Sequence, residues 1–164
     1  SYREGYGMKV YNGILFNHES PRRGYTFVSK KVVKAAVAIK QGKQRKLYLG
    51  NLSARRDWGS ARDYMEAVYK IIQHPHPTDF VIATGESHTI QEFVEETFNY
   101  LNLDWRKYVE VDEDLMRPAE VDVLQGDASK AKQLLGWTPS MKFKDVIHWM
   151  VDEEMDQATV VDVL

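Results

Sequence analysis

Residues 13–24 read Gly-Ile-Leu-Phe-Asn-His-Glu-Ser-Pro-Arg-Arg-Gly, an apolar segment that runs into a polar loop with two arginines. Met8 and Val10 precede it, and a short apolar run bracketed by glycines is typical of a strand covered on both faces. We therefore predict a strand over residues 8–16 that stops at Asn17. In an open α/β sheet, ligands bind beyond the carboxyl ends of the strands, so the polar loop is expected to face a ligand.

The chemistry of this loop fits an anionic ligand. The planar fork of an arginine suits phosphate oxygens, and Pro21 and Gly24 shape the turn that presents Arg22 and Arg23. The same segment also fits a solvated surface turn, because charged side chains are common on protein surfaces. The residues alone leave both interpretations open.

Length and composition fit one ordinary domain. The chain has 164 residues, of which 43% are hydrophobic, enough for a single core. Cysteine is absent, which excludes a disulfide framework, a thiolate nucleophile and a cysteine metal site. No apolar run approaches the roughly 20 residues of a membrane span, and no signal-peptide pattern opens the chain. We expect a soluble, cytoplasmic protein with no membrane partner.

The small net charge of -2 hides an uneven distribution. Between Arg22 and Arg62, Asp57 is the only acid among a dozen lysines and arginines, so this part of the chain can attract an anion. Nucleic-acid binding is disfavoured because there is no basic helix with interleaved aromatics, no zinc-finger spacing and no RNA-binding aromatic strand.

The rest of the chain alternates helix and strand patterns. Ser60 is a candidate helix cap, and Thr89 with Glu92 forms a candidate capping box. Apolar spacing and stop signals predict a helix tail over residues 1–6, helices over 26–41, 61–73, 89–101, 130–135 and 143–155, and strands over 46–49, 79–85 and 109–111. In the first full helix, Lys30, Lys31, Lys34 and Lys40 are predicted to face solvent. The tail after Ala158 is expected to be irregular.

No complete active site is visible in the sequence. The five histidines include no pair at helical spacing with a third ligand, so we predict no metal site. A nucleophile elbow, a Walker loop and an EF-hand loop are all missing. So are the Gly-x-Gly-x-x-Gly turn and the Tyr-x-x-x-Lys pair.

Five distinctive segments occur in one order along nearly the whole chain: residues 12–24, Leu-Gly-Asn-Leu at 49–52, Arg-Asp-Trp-Gly at 56–59, Asp-Phe-Val-Ile-Ala-Thr-Gly-Glu at 79–86 and Arg-Pro-Ala-Glu-Val-Asp at 117–122. Together they resemble the GDP-mannose 4,6-dehydratase family of extended short-chain dehydrogenase/reductases. The resemblance implies an NADP-dependent cycle that oxidises C4 of the mannose, eliminates water across C5 and C6, and returns the hydride to C6. The product, GDP-4-keto-6-deoxymannose, is the precursor of GDP-fucose and GDP-rhamnose.

The resemblance covers only the carboxyl-terminal half of that family. Its glycine-rich turn and its catalytic tyrosine, lysine, threonine and glutamate lie upstream of the segment represented here, so we predict no catalytic residue in this chain and no turnover by it alone. The chain is then a fragment of a longer enzyme, a separately encoded half of one, or a non-catalytic module that binds nucleotide sugars. Half of a related epimerase or reductase is the alternative enzyme class.

The resemblance also assigns site residues. Those expected to contact GDP-mannose are Asn17, Val28, Lys31, Arg56 and Arg117, with Asn51 and Glu120 as weaker candidates. Those expected to contact NADP are His18, Arg22 and Arg23, and the Arg22-Arg23 loop is expected to reach a neighbouring subunit in a dimer or tetramer. Asp57 and Trp58 are predicted to hold the loop and pack, without touching ligand.

The fold predicted from this resemblance is α/β. It consists of the carboxyl-terminal part of a doubly wound parallel sheet together with a smaller α/β substrate-binding lobe. Within a single unit spanning residues 1–164, segments 1–45 and 61–85 would complete the sheet, and segments 46–60 and 86–164 would form the lobe.

Overall fold

The computed structural model describes residues 1–161, in which helices and short strands alternate. The helices are α1 (Tyr2–Tyr6), α2 (Val28–Lys40), α3 (Ala61–Gln73), α4 (Ile90–Tyr100), α5 (Ser129–Leu135) and α6 (Phe143–Val161). The strands are β1 (Asn12–Leu15), β2 (Asn17–Glu19), β3 (Leu47–Leu49), β4 (Arg55–Arg56), β5 (Trp58–Ser60), β6 (Asp79–Ile82), β7 (His88–Thr89) and β8 (Val109–Val111). Two single 3-10 turns lie at Trp105–Lys107 and Glu113–Leu115.

The strands associate in four pairs, three of them parallel. β1 pairs with β6, β2 with β5 and β3 with β8 in parallel, while β4 and β7 are antiparallel. Parallel pairing needs a crossover between the partners, and here α2 and α3 supply helical crossovers. The α/β class with parallel pairing, which the resemblance implied, is confirmed.

Two clusters of buried apolar side chains form the core. The larger cluster joins α2, α4 and α6 to β3, β5 and β8, and Val33, Phe98 and Met150 lie at its centre. The smaller cluster joins α3, α5 and β6 around Tyr64 and Trp137. The edge-to-face contact of these two rings, with centroids 5.9 Å apart, connects α3 to the segment after α5.

Local capping places the helices where the sequence predicts them. The Ser60 hydroxyl accepts from the Arg62 amide, and the Thr89–Glu92 capping box is present in full. α5 ends at Gly136, whose left-handed backbone suits a glycine cap. α6 is longer than predicted, since it continues through Val161; the last part of the predicted irregular tail, residues 162–164, lies outside the described residues.

Three further local predictions are wrong, besides the irregular tail expected after Ala158, of which residues 159–161 belong to α6. The strand over residues 8–16 is reduced to β1, because within residues 1–161 its backbone pairs with β6 alone. Ile14 on it is 55% exposed, so the expected cover on both faces is incomplete in the described residues. The segment 17–19, expected to be loop, is strand β2 because its backbone pairs with β5. Lys30, expected to face solvent, is 3% exposed, because its ammonium donates to the Pro21 carbonyl and pairs with Glu154 of α6.

Candidate functional site

A cleft of about 500 Å³ opens between α2, β3, β4 and the segment that follows β8. The seven residues that the resemblance assigns to GDP-mannose all line it: Asn17, Val28, Lys31, Asn51, Arg56, Arg117 and Glu120. They are spread over about a hundred positions of sequence, and the fold brings them to one concave surface. Apolar lining comes from Phe27, Leu49, Ile90 and Leu115.

Regular elements position one side of the cleft. Asn17 and His18 are successive residues of β2, so their side chains point to opposite faces. Asn17 lines the cleft, whereas the His18 ring packs 5.2 Å from the ring of Tyr64 on α3. Val28 and Lys31 are one helical turn apart at the start of α2 and share a face.

Arg56 forms the floor of the cleft and is held by several bonds. Its Nη1 donates to the Arg55 carbonyl at 2.8 Å and to the Val121 carbonyl at 2.7 Å. Its Nη2 lies 3.3 Å from Glu120 Oε1. A guanidinium carries five N–H groups, so its Nε–H and one Nη2–H have no partner among the described residues. These two remain available to an anion.

Arg117 contrasts with Arg56. It is exposed, and its side chain makes no hydrogen bond or ion pair with any residue of the described part of the chain. It can therefore reorient toward a bound anion, at the cost of side-chain entropy.

The remaining polar residues of the cleft make local bonds. Lys31 Nζ donates to the Tyr48 carbonyl at 2.8 Å, which tethers α2 to β3. Asn51 Oδ1 accepts from the amide of Ser53 at 2.9 Å, a bond that shapes the turn after β3. Both side chains retain further bonding capacity for a ligand.

Asp57 has the supporting role predicted for it. It is fully buried, and its carboxylate accepts from the amides of Thr84, Gly85 and Gly126 at 2.9–3.1 Å. These bonds tie the loop after β6 to β5. Its neighbour Trp58 is buried in the larger core cluster, as predicted.

Of the residues assigned to NADP, His18 on β2 faces away from the cleft, whereas Arg22 and Arg23 lie in the loop that follows β2. His18 Nδ1 is 2.8 Å from the Phe16 carbonyl, and no described residue hydrogen-bonds to its Nε2. Arg23 is folded back: its Nε lies 3.3 Å from Glu19 Oε2, and its guanidinium lies 3.6 Å from the centre of the Phe27 ring. Arg22 is exposed and lines an open groove of about 670 Å³ with Arg62 and Trp149. Arg22 is thus the freer of the two cations.

Sequence reasoning missed a buried polar pair behind this loop. Glu19 is 1% exposed and accepts from the Ser29 hydroxyl at 2.5 Å, while its Oε1 has no partner among the described residues. Burial raises the pKa of Glu19, and the Ser29 bond and the charge of Arg23 oppose that rise. Burial and the nearby carboxylates also raise the pKa of Tyr64. Glu19 lies two residues after Asn17 on β2, so the two side chains share a face of the strand. This spacing is the sequence signal that could have shown Glu19 facing inward.

The sequence of this chain is similar to those of known proteins. The sequence model described as GDP-mannose 4,6 dehydratase matches residues 1–150. The chain is 55% identical to GDP-mannose 4,6 dehydratase 2 of Arabidopsis thaliana and 43% identical to the human GDP-mannose 4,6 dehydratase, over 96% and 95% of its length. The chain belongs to the GDP-mannose 4,6-dehydratase family. The resemblance seen in the motifs is confirmed.

Family membership does not make the chain equivalent to a whole relative. It spans 42% of the Arabidopsis protein and 46% of the human one, so it corresponds to about half of a family member. The family's activity therefore belongs to a polypeptide about twice this length.

Solved structures show the same fold. RMD of Pseudomonas aeruginosa, complexed with NADPH, superposes with a TM-score of 0.85 at 20% identity, over 95% of this chain and 51% of that one. A dTDP-glucose 4,6-dehydratase of Bacillus anthracis in complex with NAD superposes with a TM-score of 0.80 at 18% identity, over 96% and 47%. These likenesses confirm the predicted Rossmann-like α/β fold. No helix among residues 1–161 is both long and apolar enough to span a bilayer.

Proposed function

We propose that this chain is the nucleotide-sugar-binding half of an NADP-dependent GDP-mannose 4,6-dehydratase. The observation that carries the proposal is the convergence of all seven predicted substrate residues on one cleft. Family membership supports GDP-mannose as the substrate, because the relatives are named for that reaction.

The charges of the cleft suit a nucleoside diphosphate. Arg56 offers two N–H groups that have no partner among residues 1–161, and Arg117 adds a second, exposed guanidinium. Together they can neutralise two phosphates. Lys31 and the backbone of Val28, at the opposite wall, are proposed to face the guanine.

NADP, when bound, supplies hydride transfer in such an enzyme. The chain's own residues fit part of its site: one ring nitrogen of His18 has no partner in the described part of the chain, and Arg22 presents an exposed cation suited to a phosphate. We propose that Arg22 reaches the cofactor of a neighbouring subunit in a dimer or tetramer. Arg23 would then act mainly by shaping the loop through its contacts with Glu19 and Phe27.

We further propose that the other half of the enzyme completes the sheet at β1. The Phe16 amide donates to the Ile82 carbonyl of the β6 segment, so the backbone groups of Gly13 and Leu15 point to the opposite edge. No strand among residues 1–161 pairs with that edge. Parallel sheets are normally covered on both faces, and the exposed Ile14 side chain marks an uncovered face.

The test is titration and assay of the purified chain. Isothermal titration should show GDP and GDP-mannose binding by the chain, whereas product formation should require addition of a polypeptide corresponding to the other half of a family member. Absence of nucleotide binding under conditions where circular dichroism shows a folded chain would contradict the proposal. Turnover by the chain alone would overturn the division into halves.

A further inference from the structure

One wall of the cleft is a segment with little apolar packing of its own. Residues 112–124, here called the strap, leave β8, cross the cleft and return to β4. Leu115 and Met116 are 45% and 46% exposed, so burial contributes little to holding their position. The strap carries Arg117, whose side chain has no partner among residues 1–161. The position of Arg117 therefore depends on how the strap itself is held, including the bonds of Arg56 to Glu120 and to the Val121 carbonyl.

Backbone bonds hold the strap at both ends. At its start, the Asp112 amide donates to the Leu49 carbonyl of β3 at 2.8 Å. At its end, the Arg55 amide donates to the Asp122 carbonyl at 2.7 Å, and the Leu124 amide donates to the Arg55 carbonyl at 3.0 Å. Within residues 1–161, no backbone hydrogen bond joins residues 116–119 of the strap to another element.

Gly50 contacts the strap at Leu115 and Met116, just before Arg117. A Cβ atom at position 50 would lie 2.6 Å from the Leu115 carbonyl oxygen, 2.9 Å from the Leu115 carbonyl carbon and 3.2 Å from the Met116 nitrogen. All three are backbone atoms, which cannot rotate away as the end of a side chain can. The absence of a side chain at Gly50 is what allows the strap to approach β3.

We propose that Gly50 is a positioning residue for Arg117. Because Gly50 has no side chain, it sets how closely the strap approaches β3, and so where the Arg117 guanidinium lies in the cleft. This inference rests on the proposed function, in which Arg117 binds the diphosphate. A methyl group at position 50 would overlap the Leu115 carbonyl, so the strap and the turn at Gly50 must move apart, because contacts below 3.0 Å are not tolerated. Arg117 directly follows Met116 in the strap and moves with it, and a displacement of about 1 Å is enough to weaken a charged contact strongly.

The experiment compares five forms of the full 164-residue chain: the parent, Gly50→Ala, Arg117→Ala, the double variant, and Gly5→Ala as a control. Gly5 is a matched control because a Cβ there would meet no atom within 4 Å. GDP is the titrant in isothermal calorimetry. We expect Gly50→Ala to weaken GDP binding by about tenfold, and the double variant to bind within about twofold of Arg117→Ala alone, since both changes remove the same contact. Gly5→Ala should bind as the parent does.

Hydrogen exchange provides a readout that does not need GDP. In Gly50→Ala, the hydrogen-bonded amides of Asp112, Leu115 and Met116 should exchange faster, while those of α2 and α4 keep the parental rate. The proposal would be overturned if Gly50→Ala kept the parental exchange rate in the strap or the parental affinity for GDP. It would also be overturned if the two substitutions lowered GDP affinity independently, so that the loss in the double variant were the product of the two single losses. Loss of protection throughout α2 and α4 would show a general folding defect and would also overturn the local role.

The same data separate this inference from the proposed function. A folded parent chain with no affinity for GDP contradicts the proposed function, whatever the variants do. Faster exchange confined to the strap of Gly50→Ala would still support the positioning of this segment by Gly50.

Discussion

Glu120 Oε1 lies 3.3 Å from Arg56 Nη2, so a carboxylate already pairs with one of the two arginines proposed to bind the diphosphate. The two side chains are 18% and 14% exposed, so water screens the pair only partly. Arg117 has no partner of this kind among the described residues. The two arginines should therefore respond differently to the same substitution.

Replacing either arginine by alanine should weaken GDP binding by about 1.5–3 kcal/mol, the scale of a hydrogen bond to a charged group. Arg56→Ala should also lower the free energy of unfolding by about 1–3 kcal/mol, because the Val121 carbonyl and Glu120 lose their donor. Arg117→Ala should change the free energy of unfolding by less than about 0.5 kcal/mol. Calorimetry and urea denaturation measure the two effects, and unchanged GDP affinity in both variants would contradict the assignment.

Glu120→Gln should tighten binding of GDP by about two- to fivefold, because it removes a negative charge beside the proposed diphosphate site. GDP-mannose should gain less if Glu120 also accepts a bond from the sugar. Glu113→Gln is the matched control, since Glu113 is an exposed acid in the same strap. Weaker GDP binding by Glu120→Gln would show that the carboxylate mainly holds Arg56 in place.

Substitutions of Arg22 and Arg23 should have different effects, because Arg23 holds the loop whereas Arg22 is proposed to reach the cofactor. Arg23→Glu should destabilise the chain by about 2 kcal/mol or more, because it places a second carboxylate beside the buried Glu19. Arg22→Glu should leave the melting temperature unchanged but lower NADP affinity and assembly size in the enzyme completed with its other half. Thermal denaturation, a cofactor titration and light scattering test this, and an Arg22→Glu enzyme with parental assembly and NADP affinity would leave Arg22 a surface residue.

The stability of the chain should depend on the protonation of Glu19. Burial raises the pKa of this carboxyl above its ordinary value of 4.5, so the folded state holds the proton more tightly than the unfolded state. The resulting stabilisation is complete below about pH 4.5 and is lost as the pH rises through the raised pKa, at about 1.4 kcal/mol per pKa unit. Glu19→Gln keeps an acceptor for Ser29 and removes the titration.

Urea denaturation of the parent and of Glu19→Gln between pH 4 and pH 8 measures this effect. The parent should lose stability relative to the variant as the pH rises. A difference in unfolding free energy that stays constant over this range would show that Glu19 has the same pKa in both states.

Ile14→Asp should block assembly with the other half of the enzyme without unfolding the chain. Ile14 is 55% exposed on the uncovered face of β1, so an aspartate there meets water in the chain alone but would be buried in the completed sheet. Val111→Asp is the control, since Val111 is 51% exposed on β8. Mixing each variant with the other half and measuring complex formation by size-exclusion chromatography tests the surface; equal assembly by both variants would place the partner elsewhere.

Much of the local structure could be read from the sequence. The Thr89–Glu92 capping box and the glycine after α5 begin and end helices at the predicted places, because a cap bonds only to amides and carbonyls of the adjoining turn. The predicted support role of Asp57 is confirmed by its burial. The family was also visible in the motifs, because a long ordered set of segments is specific in a way that composition is not.

The sequence by itself determined the family, the α/β class and most helix boundaries, since these depend on neighbours within a few residues and on motif order. Tertiary structure alone decided which side chains are buried and paired. Lys30 follows a surface pattern but meets Glu154, and Arg56 meets Glu120 from a segment 64 residues later. The close approach of Leu115 and Met116 to Gly50 has the same origin. Such contacts depend on how distant segments pack, and local spacing carries no record of that packing.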